Sequence, residues 1–294
     1  MNDIQGIIKR LEDLKSKRIL VQYPEGLTLK IIDISKILED NGFEVILCME
    51  PSYGGCDLRD TEALRLGCDA ILHIGHCDFG IKSELPVVYW EYMIDIDPIP
   101  FLQKEFHKLK PYKKIGLLTS LQYVKCMEIV KKYLEENGKE VFYQKTLKYP
   151  GQILGCCVYP AESIQDIVDC FLYVGTGKFY PLGVAIKVEK PVLSLDLEKG
   201  EIIDLEEDKK IWMKKKAWYD EQIKDAKNVG IIVSWKKGQN RIEEAIKVKK
   251  ELEKNGKNVN ILAFDRFDRT KIEGLKFDVL INMVCPRLDD DLLF

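Results

Sequence analysis

Residues 38–45 read LEDNGFEV, and the same pattern returns as LEENGKEV at 134–141 and as LEKNGKNV at 252–259. Each copy fits L-E-x-N-G-x-x-V. This pattern predicts a helix that ends at Asn-Gly, where the glycine adopts the left-handed cap conformation, followed by a short loop into a strand. A motif repeated at such spacing indicates that the chain is built from three similar units.

Apolar runs flank every copy of this repeat. The runs before the repeats are RILVQY (18–23), KIGLLTS (114–120) and VGIIVSW (229–235), and those after them are DAILHIGH (69–76), CFLYVGTG (170–177) and DVLINMVC (278–285). Because the runs are apolar on both faces, they predict parallel strands covered by helices on both sides. The fold class is therefore α/β, with three small doubly wound parallel-sheet units.

The unit boundaries follow from these runs. We predict units at residues 1–104, 105–205 and 206–294, the last opened by a helix over the Lys/Glu-rich stretch 206–228. Ligands of open parallel sheets bind beyond the carboxyl ends of the strands. Three such sheets arranged about one centre would therefore direct their loops at a shared central site.

The composition excludes several classes of protein. Among 294 residues, 45 basic and 48 acidic side chains give a net charge of −3, so no polybasic surface for nucleic acid or a membrane is indicated. The first residues carry apolar side chains at helical spacing, which predicts a helix and not a signal peptide. No apolar stretch is long enough to span a bilayer. We expect a soluble, cytoplasmic protein without nucleic-acid or membrane partners.

The nine cysteines contain no C-x-x-C pair, so neither a disulfide framework nor a zinc ribbon fits. Four of them lie in apolar runs or on a predicted helix and are interpreted as packed core thiols. These four are Cys48, Cys68, Cys126 and Cys170. Cys77 follows a strand, and its role stays open at this point.

Three cysteines share a different context. Cys56, Cys156 and Cys285 each lie in a turn bounded by glycine or proline, one per unit, on the side where ligands bind. Three thiolates match an iron–sulfur cluster that keeps one iron without a protein ligand. Zinc would need a fourth ligand, for which His73 or His76 is the candidate, although their i, i+3 spacing at a strand end favours one packed and one exposed histidine. Three unrelated thiols are the remaining alternative, and the residues alone leave all three open.

Eight short motifs then follow one another along nearly the whole chain. They are VQYPEGL (21–27), YGGCD (53–57), HIGH (73–76), GQILGC (151–156), GTGKFYPLG (175–183), SLDLEKGEI (194–202), VSWKKGQNR (233–241) and INMVCPR (281–287). In this order they resemble the enzymes of the first step of diphthamide synthesis, the 2-(3-amino-3-carboxypropyl)histidine synthases, in their archaeal homodimeric form.

This resemblance implies a transferase of the non-conventional radical S-adenosylmethionine type. In the family, one cysteine from each of three related domains binds a 4Fe-4S cluster. Carried over, these are Cys56, Cys156 and Cys285, and Cys157 is the alternative to its neighbour. The implied reaction moves the 3-amino-3-carboxypropyl group of S-adenosylmethionine to carbon 2 of a histidine of translation elongation factor 2. A homodimer and an external electron donor are implied as well.

Loops between the cysteines supply the candidate contacts to S-adenosylmethionine. The principal set is Gly177, Lys178, Pro181, Gly183, Lys237, Gln239 and Arg287. Glycines allow close approach of the backbone, and the cationic side chains suit a carboxylate. The alternatives are an ordinary turn at 175–183 and an ordinary helix start with solvated lysines at 233–241. Arg241, Gln22 and Glu25 are further candidates, and Asp57 is interpreted as stabilising its turn.

Three other functions compete with this hypothesis. Quinolinate synthase also arranges three α/β units around one cluster, but its condensation needs no S-adenosylmethionine. A non-catalytic iron–sulfur subunit would only supply electrons to a catalytic paralogue. The third alternative is an α/β protein in which all nine cysteines are structural.

Overall fold

The computed structural model describes residues 4–145, 147–285 and 288. In this part of the chain, helices alternate with strands that form three sheets. Parallel pairing accounts for every strand pair except one at the edge of the second sheet. The predicted α/β class with parallel-sheet units is confirmed.

The first sheet has the strand order β2-β1-β3-β4. Its strands are β1 (Arg18–Gln22), β2 (Glu44–Leu47), β3 (Ala70–Ile74) and β4 (Val87–Trp90), and its helices are α1 (Ile4–Asp13), α2 (Thr28–Asp40) and α3 (Asp60–Arg65). Helix α1 forms because its apolar residues recur at helical spacing, and Ile4, Ile7, Ile8 and Leu11 are all buried. The predicted first helix is confirmed.

The second sheet has the order β6-β5-β7-β8-β9. Its strands are β5 (Lys114–Thr119), β6 (Glu140–Phe142), β7 (Cys170–Gly175), β8 (Val192–Asp196) and β9 (Glu201–Asp204), and its helices are α4 (Ile99–Glu105), α5 (Cys126–Glu136), α6 (Tyr159–Glu162) and α7 (Phe179–Ala185). Strand β9 pairs antiparallel with β8. This hairpin was not predicted, because the short segment EIID lacks the apolar length of the other strands.

The third sheet has the order β11-β10-β12. Its strands are β10 (Asn228–Ser234), β11 (Asn258–Phe264) and β12 (Val279–Asn282), and the helices before and within it are α8 (Glu206–Asp225) and α9 (Ile242–Lys254). Helix α8 is the helix predicted to open the third unit. It contacts the second sheet region through Lys209, which donates to the Val188 carbonyl, and the third sheet through Tyr219, which donates to the Leu280 carbonyl.

The repeat is visible in the helix ends. In helices α2, α5 and α9 the asparagine of the repeat is the C-cap residue, and the following Gly42, Gly138 and Gly256 have φ values of 89°, 78° and 79°. These angles lie in the left-handed region that glycine adopts without strain. The predicted cap is confirmed in all three copies.

A second repeated device was not predicted. An aspartate just before the third strand of each repeat accepts hydrogen bonds from the two backbone amides at the start of the first strand. Asp69 accepts from Lys17 and Arg18, Asp169 from Lys113 and Lys114, and Asp278 from Lys227 and Asn228, at 2.7–3.3 Å. These bonds satisfy donors at the strand edge that would otherwise face only water.

Contacts divide the chain into two compact units, which differ from the three units predicted from the sequence. Below, unit 1 means Met1–Tyr92 with Lys236–Gln239, and unit 2 means Met93–Trp235 with Asn240–Phe294. Helix α4, which a boundary at residue 104 assigns to the first predicted unit, packs against β9, where Glu105 accepts a hydrogen bond from the Ile202 amide at 3.3 Å. The division of the sequence at residues 104 and 205 stays a prediction. Within the described ranges, none of the helices has the length and apolar character of a membrane span.

Candidate functional site

Cys56 lies in unit 1, in the loop that follows β2. The loop turns at Gly54, whose carbonyl accepts a hydrogen bond from the Asp57 amide at 3.1 Å. A Cβ atom at Gly55 would lie 2.4 Å from the Cys77 carbonyl oxygen and 3.3 Å from the Phe79 ring. Only glycine therefore lets this turn pack against the segment after β3. The packing leaves Cys56 half-buried.

Gln22, at the carboxyl end of β1, ties the same loop to the sheet. Its side chain is buried, its amide nitrogen donates to the Asp57 carbonyl at 2.9 Å, and its amide oxygen accepts from the Arg59 amide at 3.0 Å. Both bonds go to backbone groups on either side of Leu58. A candidate for ligand contact in the sequence, Gln22 is here a support of the Cys56 loop.

Buried charges surround this loop. Asp57 is fully buried, with Lys236 Nζ at 2.6 Å and Arg59 Nε at 3.4 Å from its two carboxylate oxygens. Lys236 is itself only 8% exposed and lies over the Tyr53 ring. The alternative of a helix start with solvated lysines therefore does not hold for Lys236. A buried carboxylate needs such partners, because an unpaired charge in the interior is costly.

A second ion pair lies three residues further along the chain, at Asp60. Asp60 is buried and accepts from Lys237 Nζ at 2.6 Å and from the Glu84 amide at 2.7 Å. Burial acts to raise the pKa of Asp60, but the Lys237 ammonium and the Glu84 amide outweigh it, so the pKa lies below its usual value. The hydrogen bond with Asp60 likewise raises the pKa of Lys237.

The segment Lys236–Gln239 also contacts the cysteine itself. The Gly238 amide donates to the Cys56 carbonyl at 3.1 Å, and Gln239 Nε2 lies 3.4 Å from Cys56 Sγ. Lys237 and Gln239 were predicted to contact S-adenosylmethionine. That role stays a prediction, and in the structure both side chains already have partners in unit 1.

Cys156 lies in unit 2, in the loop after β6. The Gly151 carbonyl accepts from the Thr119 amide, and the Ile153 amide donates to the Thr119 carbonyl, both at 2.9 Å, so the loop is fixed to the end of β5. Leu154 and Cys157 then exchange backbone hydrogen bonds at 3.0 and 3.3 Å, which closes a tight turn around Cys156. Cys156 is exposed and Cys157 is half-buried. The choice of Cys156 over Cys157 stays a prediction.

Cys285 follows β12 in unit 2 and is half-buried. The Asn282 side chain holds its turn, because its amide nitrogen donates to the Cys285 carbonyl at 2.7 Å and its oxygen accepts from the Val284 amide at 2.9 Å. Asparagine favours such local bonds at the end of a strand. Arg287, predicted to meet a carboxylate, lies outside the described residues.

The candidate residues of GTGKFYPLG lie at the end of β7 and in α7. Gly177 has φ 67°, and its amide donates to the buried Asp196 at 3.3 Å. Lys178 Nζ lies 2.9 Å from the Asp208 carboxylate. Pro181 and Gly183 are buried within α7. Substrate contact by these four residues stays a prediction.

His73 and His76 form a pair in unit 1. His73 Nε2 and His76 Nδ1 lie 3.0 Å apart, and His73 is fully buried. Burial, with the neighbouring His76, lowers the pKa of His73 to about 3, and burial lowers that of His76 to about 4. Within the part of the chain that the structure describes, no three His, Cys, Asp or Glu side chains are placed to hold a single metal ion. Cluster cysteines bind separate iron atoms, so that finding leaves the cluster ligands as a prediction.

The cysteines interpreted as core thiols match their surroundings. Cys68, Cys126 and Cys170 are buried, and Cys48 is half-buried. Burial raises the pKa of Cys126 to about 11 and that of Cys170 to about 12, which makes both poor thiolate ligands. Cys77, left open by the sequence, is buried as well.

The structure therefore brings together Cys56, Lys237 and Gln239 among the predicted site residues. The pairing of Lys236 with Asp57 and of Lys237 with Asp60 was not predicted from the sequence. The available signal was weak: a run of alternating charges directly after Cys56, and two adjacent lysines after a buried strand. Neither pattern differs from an ordinary solvated surface until burial is known.

Comparisons with known proteins agree with the sequence motifs. The family described as "Putative diphthamide synthesis protein" matches residues 23–291. The 2-(3-amino-3-carboxypropyl)histidine synthase of Pyrococcus horikoshii is 33% identical over 97% of this chain and 83% of its own length. The enzyme of the same name from Methanocaldococcus jannaschii is 30% identical over 99% of this chain and 85% of its own. A crystal structure of Dph2 from Pyrococcus horikoshii with a 4Fe-4S cluster superposes with a TM-score of 0.91 at 32% identity, covering 98% of this chain and 85% of that one.

Proposed function

This chain belongs to the family of diphthamide synthesis proteins, and on that basis we propose that it catalyses the first step of diphthamide synthesis. It transfers the 3-amino-3-carboxypropyl group of S-adenosylmethionine to carbon 2 of a histidine of translation elongation factor 2. The observation that carries this function is the similarity over 97% of the chain to a 2-(3-amino-3-carboxypropyl)histidine synthase.

The resident cofactor of this reaction is a 4Fe-4S cluster, as in the related Dph2. Cys56, Cys156 and Cys285 are the proposed ligands. The surroundings of Cys56 fit a cluster sulfur ligand, since the thiol is half-buried, lies on a glycine turn and has an amide donor beside it. When bound, the cluster supplies one electron to a sulfonium substrate.

The chain's own residues bind and orient the two substrates. In the overall change, the bond between sulfur and the γ-carbon of the methionyl group breaks, methylthioadenosine leaves, and a carbon–carbon bond to the imidazole forms. We assign the approach of the methionyl group to Gly177 and Lys178, with Pro181, Gly183 and Arg287 as further contacts. Holding the two reacting carbons together and excluding water is the protein's contribution to the rate.

The same function sets the partners. Translation elongation factor 2 is the protein substrate, and an external donor supplies the electron. We propose that the chain acts as a homodimer in the cytoplasm. The histidine ring to be modified must enter the site from solvent, so the binding surface for the factor has to surround the cluster cysteines.

The deciding experiment is turnover by the chain alone. Protein purified without oxygen is mixed with dithionite, S-adenosylmethionine and elongation factor 2, and methylthioadenosine and modified factor are measured. We expect both products in equal amounts. A quinolinate synthase would give no methylthioadenosine, and a non-catalytic donor subunit would modify the factor only with a second protein present. Colourless, iron-free protein would contradict the cluster itself.

Single cysteine variants test the ligands. Cys56→Ala, Cys156→Ala and Cys285→Ala should each lower the iron content and abolish turnover, because each removes a ligand. Cys126→Ala is the matched control and should keep both, since its thiol packs in the core. Full iron in Cys156→Ala with loss in Cys157→Ala would move the second ligand by one residue.

A further inference from the structure

The segment Lys236–Gln239 is far in sequence from the Cys56 loop but belongs to the same compact unit. We propose that Gln239 is a positioning residue for the Cys56 sulfur, and that Lys236 and Lys237 fasten the loop that carries it. This role rests on the proposed function, in which Cys56 is a cluster ligand. It differs from the predicted contact of Lys237 and Gln239 with S-adenosylmethionine.

The Gln239 side chain contacts the Cys56 sulfur directly. Gln239 Nε2 lies 3.4 Å from Cys56 Sγ, a distance that fits an N–H···S hydrogen bond to the larger sulfur atom. The two residues are 183 positions apart, so the contact is a product of the fold and not of local geometry. Hydrogen bonds to cluster sulfurs stabilise negative charge, and the reduced cluster carries more of it. The Gln239 amide should therefore raise the reduction potential of the cluster.

Two ion pairs anchor the segment Lys236–Gln239 to the Cys56 loop. Lys236 pairs with Asp57 at 2.6 Å, and the two side chains are 6% and 1% exposed. Lys237 pairs with Asp60 at 2.6 Å on the other side of Arg59. The ion pairs thus bracket the end of the Cys56 loop. Losing Lys236 or Lys237 would remove the shortest ion pair of a buried carboxylate, which favours the paired arrangement.

The backbone at Gly238 packs directly against Cys56. A Cβ atom at Gly238 would lie 2.6 Å from Cys56 Cβ, 2.6 Å from the Cys56 carbonyl oxygen and 2.7 Å from Cys56 Cα. No other residue type fits at position 238 without moving either this segment or the Cys56 loop. The close approach also makes possible the hydrogen bond from the Gly238 amide to the Cys56 carbonyl at 3.1 Å.

Fastening is needed because the Cys56 turn is built on Gly54 and Gly55. Two adjacent glycines give the backbone many alternative conformations, and ordering them costs entropy. Gln22 holds the turn through the backbone of Asp57 and Arg59. The segment Lys236–Gln239 adds a contact to the cysteine itself. Its function is to hold the sulfur at one position before the cluster is bound.

The loop test uses the full-length, iron-free chain. Hydrogen exchange of the peptide that contains Cys56 is followed by mass spectrometry in Gly238→Ala and Lys236→Met. We expect exchange to rise about tenfold or more in both, because the anchored state is lost. Gly26→Ala is the matched control, since a Cβ at Gly26 meets nothing within 4 Å. Unchanged exchange in both variants would overturn the proposed anchoring.

The sulfur test uses the iron-loaded chain. Gln239→Leu removes the donor but keeps the approximate size of the side chain, and Gln144→Leu is the control at an exposed glutamine. We expect Gln239→Leu to retain iron, to show a more negative reduction potential in a redox titration, and to show an altered spin-resonance spectrum of the reduced cluster. A wild-type potential and spectrum would overturn the role of Gln239. Iron-free wild-type protein would instead contradict the proposed function, so the two failures are distinguishable.

Discussion

Acid should destabilise unit 1 through the pair formed by the buried His73 and the half-buried His76. His73 and His76 share one hydrogen bond of 3.0 Å between ring nitrogens, which requires one nitrogen to donate and the other to accept. His73 Nδ1 is buried and has no hydrogen-bond partner among the described residues. A proton added to His73 would therefore face no acceptor, and a positive charge would be desolvated. These contacts keep both rings neutral in the folded protein.

The sign and size of the effect follow from linkage. The pKa values lie at about 3 and about 4 in the folded protein, against 6.5 ordinarily, so the unfolded chain binds protons first as the pH falls. The contribution of the neutral rings to the free energy of unfolding is fully present well above pH 6.5 and is lost as the pH falls from there toward the folded pKa values. At about pH 5 the free energy of unfolding should be lower by about 2 kcal/mol for each ring, or about 4 kcal/mol for the pair, at roughly 1.4 kcal/mol per pH unit.

The assay is denaturant unfolding at about pH 7 and about pH 5, with the ring signals of the histidines followed by NMR. Wild-type protein should lose about 4 kcal/mol between these values, and the double variant His73→Asn/His76→Asn should lose much less. His107→Asn, at the one exposed histidine, is the control and should keep the wild-type loss. Titration of either ring of the pair near pH 6.5, or an unchanged pH dependence in the double variant, would contradict this prediction.

Two further predictions concern the Cys156 loop and the repeated aspartate. Gly151→Ala should lower the free energy of unfolding by about 2–4 kcal/mol, because its φ is 64° and the added Cβ would lie 2.3 Å from Met127 Cε and 2.7 Å from the Leu117 carbonyl oxygen. Gly138→Ala, with φ 78° and open space, should cost only about 1 kcal/mol, and equal losses in thermal melts would contradict this. Asp169→Ala should lower the melting temperature at neutral pH. Hydrogen bonds from the Lys114 and Lys113 amides lower the pKa of Asp169, so the difference in melting temperature between variant and wild type should shrink as the pH falls below 3.8. A difference that keeps its full size below that pH would contradict this prediction.

The framework was predictable because it obeys local rules. The Asn-Gly helix ends and the apolar strands are coded in contiguous residues, and the strand order in which the first strand lies between the second and third recurs in all three sheets. The aspartate before each third strand was also present in the sequence. It was missed because an aspartate beside a strand has the same appearance as an ordinary turn residue. The common role of the three aspartates becomes visible only when the structure shows each one accepting hydrogen bonds from the amides at the start of the neighbouring first strand.

The candidate site was predictable only in part, for a physical reason. The turns that carry Cys56, Cys156 and Cys285 could be located from glycine, proline and strand ends. The partners of this loop could not, because Lys236 reaches Asp57 and Gln239 reaches Cys56 through contacts between residues more than 170 positions apart. A lysine after a strand is normally solvated, and only its burial against Asp57 gives it a structural role.

Each predicted ligand cysteine is supported differently although the sheets repeat. Cys56 depends on the segment Lys236–Gln239, the Cys156 loop on backbone bonds to Thr119, and Cys285 on the side chain of Asn282. Shared helix caps and aspartates fix the strands, whereas the supports described above for the three cysteine loops differ from one another. Substitution of a support should therefore affect its own cysteine first. With separate supports, the environment of one predicted ligand sulfur can change without disturbing the sheet that carries it, so the three predicted ligands need not be equivalent.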